Sequence, residues 1–171
     1  MTSLGYLIAG NWKMNGRVGD APRLAAAVAA GAATAPAAVD LLICPPAVHI
    51  TLAKGAIAGS RVLLGGQDCH EVEGGAFTGD ISAEMLADAG CSHVIVGHSE
   101  RRDAHVEGDA MVWRKASAAL RAGLVAIICV GETDQERLSG QAEDVVARQI
   151  NGSVPDGVDG SRIAVAYEPV W

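Results

Sequence analysis

The sequence has 171 residues, half of them apolar and 19 % charged, a composition that describes one soluble globular unit and excludes a disordered or fibrous chain. Thirteen basic residues against twenty acidic ones give a net charge of −7, and no basic stripe is present to follow a phosphate backbone, so nucleic acid is not an expected partner. No apolar stretch approaches the roughly 20 residues that span a bilayer, and the start lacks a basic region followed by an apolar run, so the expectation is a cytoplasmic protein with no membrane partner.

Residues 6–10 form a short apolar run that opens onto Asn11-Trp12-Lys13-Met14-Asn15, which reads as a first strand ending in polar groups. Asp20 is placed to cap a helix with Pro22 in its first turn, continuing to about Ala33. A second strand over 39–44 is stopped by Pro45-Pro46, and a short helix over 50–58 ends before Gly59. The third strand lies within 61–68 and leads to the loop 74–80, longer than a simple connection requires. Ser82 caps a helix to Asp88, with Gly90 as its stop.

Val94, Ile95 and Val96 are β-branched neighbours, which suits a fourth strand buried on both faces. It breaks at Gly97 onto His98-Ser99-Glu100-Arg101-Arg102. Asp109 is placed to cap the helix 111–122, ended by Gly123. The fifth strand covers 125–130, and Thr133 with Glu136 has capping-box spacing for a helix running to about Ile150. After a Gly- and Pro-containing connection, the sixth strand covers 163–167 and ends at Glu168-Pro169-Val170-Trp171.

Strands alternate with helices and nothing suggests a hairpin, so an α/β fold with a parallel sheet follows. The core draws on Ala, Val, Leu, Ile and Gly with a single Phe, a supply of small branched side chains that suits a layered barrel interior. Cys44, Cys69, Cys91 and Cys129 form no CxxC pair and match no zinc spacing, so reduced buried thiols and no metal are expected.

Polar sites fall at the carboxyl ends of three separate strands: Asn11 and Lys13 after the first, His98 after the fourth, Glu168 after the sixth. In an α/β fold those ends share one face, whether the sheet closes into a barrel or stays open and doubly wound. The glycine pairs give neither GxGxxG nor a P-loop. A helix starting near Ser99 would turn its unpaired N–H groups toward His98, favouring a neutral imidazole that can donate a hydrogen bond to a carbonyl oxygen.

Taken together, Gly10-Asn11-Trp12-Lys13-Met14-Asn15, Gly74-Gly75-Ala76-Phe77-Thr78-Gly79, Val96-Gly97-His98-Ser99-Glu100-Arg101-Arg102 and Ala166-Tyr167-Glu168-Pro169-Val170-Trp171 resemble the triosephosphate isomerase family, in order and over the whole length. The resemblance implies a (β/α)8 barrel and interconversion of dihydroxyacetone phosphate and glyceraldehyde 3-phosphate in glycolysis and gluconeogenesis, without metal or organic cofactor. It makes Glu168 the base and His98 the group that polarises the carbonyl. It also has Lys13 supply positive charge and Asn11 hydrogen-bond the substrate. Glu100 would hold Lys13 in position and Ser99 would hold Glu168 at rest; capping the helix start is the structural alternative for both. Trp12 reads as packing.

By the same resemblance, Pro169, Val170 and Trp171 form the first hinge of a catalytic lid. Gly75, Ala76, Phe77, Thr78 and Gly79 would insert into a second copy beside Asn11 and Lys13, giving a homodimer when full length. Asp80 stands where the family commonly has Glu. Residues 1–171 are expected to be a single barrel domain, incomplete at about six of eight units and truncated where the lid begins, with doubtful activity as an isolated polypeptide. The alternatives are a catalytically silent fragment retaining the dimerisation loop and another phosphate-binding α/β barrel enzyme.

Overall fold

The computed structural model describes residues 5–169 and 171. Six strands, β1 (Tyr6–Asn11), β2 (Val39–Cys44), β3 (Leu63–Gly66), β4 (His93–Val96), β5 (Val125–Val130) and β6 (Ile163–Tyr167), lie in one parallel sheet in their sequence order. Period-two alternation divides the central strands between two cores. On β5, Ala126, Ile128 and Val130 pack toward the helices, while Ile127 and Cys129 join Leu42, Cys44 and Ile95 on the opposite face.

Between the strands run α1 (Asp20–Ala32), α2 (Ile50–Ala56), α3 (Ala83–Asp88), α4 (Ser99–Ala104), α5 (Asp109–Arg121), α6 (Asp134–Leu138) and α7 (Ala142–Ser153). The strand order has no reversal, so there is no switch point and the doubly wound alternative falls. Right-handed crossovers then place every helix on one face, and the other face is covered by the sheet curling on itself. Tyr6 and Ile8 on β1, and Val165 and Tyr167 on β6, are exposed along the two outer strands.

Several local expectations are corrected. Neither Asp20 nor Asp109 is a cap, since both lie inside their helices behind Gly19 and Gly108. Asp20 accepts from the Arg17 N–H and from the Arg23 guanidinium, and Asp109 accepts from Arg102, so each carboxylate serves an arginine residue instead of a helix end. The helix expected from Thr133 to Ile150 is two helices, with Gly140 at φ +72° where the chain turns between them. The third strand is shorter than its apolar run, and α2 is preceded by a 3-10 turn over Ala47–His49. Ser82 and Thr133 do cap, accepting from the N–H groups of Met85 and Glu136, and Glu136 completes the capping box. All four cysteines are free and buried.

Candidate active site

The sheet register carries β1 and β2 out together, and the Trp12 N–H still donates to the Cys44 carbonyl at 3.1 Å before the chain turns away. Lys13 then adopts φ +52°, a left-handed conformation uncommon for a residue with a side chain. Its N–H donates to Asn11 Oδ1 at 3.0 Å, and its carbonyl accepts from Gln67 Nε2 at 2.9 Å. The same Gln67 nitrogen donates to the Cys44 carbonyl at 2.8 Å, tying the ends of β1 and β2. Lys13 Nζ donates to Glu100 Oε1 at 2.8 Å, and that hydrogen bond raises the lysine pKa against a smaller opposing effect of burial, so the ammonium stays charged.

His98 is the N-cap of α4. Its Nδ1 accepts from the Glu100 N–H at 3.2 Å, which leaves Nε2 as the donor, 3.0 Å from Glu168 Oε2. The ring is buried. Glu168 continues the β5–β6 ladder by one bond, its N–H donating to the Val130 carbonyl at 2.8 Å. Its second carboxylate oxygen accepts from the Ser99 N–H at 2.8 Å. Burial pushes the Glu168 pKa up, but the hydrogen bonds from His98 and Ser99 outweigh it and the net shift is downward.

Asn11, Lys13, Gln67, His98, Glu100 and Arg101 line a cavity of about 290 Å³, and Glu168 meets the His98 ring at its edge. A carboxylate, an imidazole whose Nε2–H is given to that carboxylate, and an ammonium thus stand together at the carboxyl ends of β6, β4 and β1. That set can remove a proton beside a carbonyl and stabilise the oxyanion that results.

Beside this cavity lies a second of about 280 Å³, with Met14, Asp68, His70, Asp80, Arg101 and Lys115 among its walls. Lys115 bridges Asp68 and Glu107, and Arg101 pairs with both carboxylates, so the wall is a buried and paired charge cluster. In the loop 74–80 Phe77 stacks on His70 with ring centroids 4.2 Å apart and remains partly exposed. Of the hinge positions, Pro169 is half-buried, Trp171 is exposed with the Arg137 guanidinium 5.3 Å from its ring centroid, and Val170 lies outside the described residues.

Sequence reasoning missed Gln67, Gly131, Gln149 and Arg102. Arg102 donates to the carbonyls of Gly97 and Cys129, at 2.9 and 3.2 Å, and so joins the ends of β4 and β5 beneath His98 and Glu168. Only Gly131 carried a usable signal, a glycine immediately after an apolar strand.

A parallel sheet wound in sequence order, with its reactive side chains gathered at the strand ends, defines a protein of the (β/α)-barrel class. The family model for triosephosphate isomerase matches residues 6–171, and the chain belongs to the triosephosphate isomerase family. It is 62 % identical to the triosephosphate isomerase of Afipia carboxidovorans over 96 % of this chain and 65 % of that protein. Against the Ruegeria pomeroyi enzyme the identity is 63 %, over 96 % of this chain and 64 % of that protein. The chain therefore spans just under two thirds of the length of these curated relatives. The crystal structure of triosephosphate isomerase from Bartonella henselae superposes with a TM-score of 0.91 at 52 % identity, covering 97 % of this chain and 68 % of that one.

Proposed function

We propose that this chain supplies the acid–base groups of a triosephosphate isomerase, interconverting dihydroxyacetone phosphate and D-glyceraldehyde 3-phosphate through an enediolate, in the cytoplasm and without a cofactor. The observation that carries the reading is the 3.0 Å contact of Glu168 Oε2 with His98 Nε2, on the strand-end face that also holds Lys13. A glutamate base working with a neutral imidazole is the established chemistry of this family. What is proposed is its assignment to these residues. Glu168 takes the proton from the carbon beside the carbonyl and returns it to the neighbouring carbon. His98 donates from Nε2 to the substrate oxygen, Lys13 balances the growing negative charge, and Asn11 hydrogen-bonds the substrate.

Glu100 keeps the Lys13 ammonium aimed, and Ser99 holds the base at rest until substrate arrives. Pro169, Val170 and Trp171 begin the lid that excludes water, within one barrel domain that includes residues 1–171. The protein acts as a homodimer, with Gly75, Ala76, Phe77, Thr78 and Gly79 of one copy entering the 280 Å³ cavity of the other. An exposed Phe77 at the tip of a low-charge loop supports that reading. Among the described residues, no helix is long and apolar enough to cross a membrane.

The test is Glu168→Asp in the full-length protein, assayed in both directions. Shortening the base by one methylene is expected to lower kcat about 100-fold while KM stays within about threefold. Unchanged turnover would remove Glu168 from the role of base.

A further inference from the structure

A buried side chain of α7 grips the peptide against which the proposed base is seated. The Gly131 N–H, immediately after β5, donates to Gln149 Oε1 at 2.7 Å, and the Gly131 carbonyl accepts from Gln149 Nε2 at 3.2 Å. Gln149 is only 8 % exposed, and both ends of its carboxamide are used on this one residue. Its neighbours on the helix, Val145, Val146 and Ile150, are apolar and packed into the core. A buried amide in such a setting is costly unless both ends are partnered, whereas an apolar side chain would fill the volume without that cost. The amide's effect therefore falls on the Gly131 peptide.

Gly131 in turn touches the main chain of Glu168. A Cβ at position 131 would strike the Glu168 carbonyl oxygen and lie 2.6 Å from the Glu168 carbonyl carbon and 3.0 Å from the Pro169 nitrogen. The Glu168 N–H is held 2.8 Å from the Val130 carbonyl, so residues 130 and 131 locate the base from two sides. From there the Glu168 carboxylate reaches His98 and the Ser99 N–H.

We propose that Gln149 is a positioning residue for Glu168: its carboxamide fixes the Gly131 peptide, and the Gly131 peptide fixes the Glu168–Pro169 main chain at the distance from which the carboxylate meets His98. Gln149 touches no reacting atom. The inference rests on the reading of Glu168 as the base, and it extends that site to a helix on the outer side of the sheet.

Two variants of the full-length protein test it. Gln149→Met removes both hydrogen bonds at nearly constant length, and Gln149→Glu keeps the acceptor for the Gly131 N–H while surrendering the donor. For each, kcat, KM, the melting temperature and the 13C titration of the Glu168 carboxyl are measured, and Gln149→Met is also combined with Glu168→Asp. Gln149→Met is expected to lower kcat about 10- to 100-fold, since displacements near 1 Å have effects of that size, with KM within about twofold. The Glu168 titration midpoint should rise, because the hydrogen bonds that lower it lengthen. In the double variant the losses should be less than multiplicative, because one position of one carboxylate is being spoiled twice.

Gln149→Glu is expected to fall between parent and Gln149→Met, and it carries the same readouts if Gln149→Met does not fold. A folded variant with kcat within threefold of the parent and an unmoved Glu168 midpoint overturns the inference, as does a fully multiplicative double variant. A parent protein without isomerase activity would sink the proposed function instead, and the Glu168 midpoint would then decide the positioning claim alone.

Discussion

Replacing Gly131 with alanine is the smallest change that presses on Glu168 without altering a polar group. The added methyl carbon would sit 2.6 Å from the Glu168 carbonyl carbon, where ordinary contact begins near 3.4 Å. The three nearest obstacles are all backbone atoms, the Glu168 oxygen and carbon and the Pro169 nitrogen, and none can swing aside as the end of a side chain can. Relief therefore requires the Glu168–Pro169 peptide to retreat by something on the order of 1 Å. Overpacking of this kind costs about 1–3 kcal/mol of stability. At about 2–4 °C per kcal/mol for a protein of this size, the melting temperature should fall by several degrees. The same displacement moves the proposed base, so kcat should drop by about 10- to 100-fold, or roughly 1.4–2.7 kcal/mol in the barrier, with KM little changed. Steady-state isomerisation in both directions and a thermal melt read the two effects separately. A variant with kcat within about threefold of the parent would refute the reasoning, because the base would then not depend on the seat that Gly131 provides.

The cysteines and the loop give two further tests. Burial pushes Cys44, Cys69 and Cys129 up to about 12 and Cys91 up to about 11, so at pH 8 the first three are thiolate in only about one molecule in ten thousand. Ellman's reagent at pH 8 should find almost no reactive thiol in the folded protein and all four after denaturation, and immediate labelling of any of them would contradict their burial. Replacing Phe77 and Thr78 together with Asp should convert a dimer to monomers with weakened activity, measured by sedimentation at low concentration. A double variant that stays dimeric would exclude the 74–80 loop from the interface.

The strands that could be read most directly, β2, β5 and β6, are apolar runs, interrupted only by Asp40 in β2, whose ends carry their own punctuation, such as Pro45 after Cys44 and Gly131 after Val130. The helix starts at Ser82 and Thr133 were legible because a cap is a local bond, made within three residues. Asp20 and Asp109 misled for the converse reason. An aspartate can cap or can take an arginine, and for Asp109 the deciding partner, Arg102, comes from a different helix. The strand-end residues Asn11, Lys13, His98 and Glu168 could be proposed from position alone, since a parallel sheet brings all such ends to one face. Gln67 and Gln149 could not. Each acts by gripping a peptide far away in sequence, Cys44 for one and Gly131 for the other, and nothing in a glutamine's own neighbourhood names its target.

The sheet pairs each strand only with its predecessor and successor in the chain. During synthesis, with a nascent polypeptide leaving the ribosome amino-terminus first, each of β2 to β6 finds its partner strand already made. Each β/α unit can dock on the one already made, which keeps loop-closure costs small and limits the time an apolar edge stays uncovered. His98, two residues past β4, is then lodged at the end of a formed sheet before Glu168 has been translated, and the pair is completed when β6 zips onto β5.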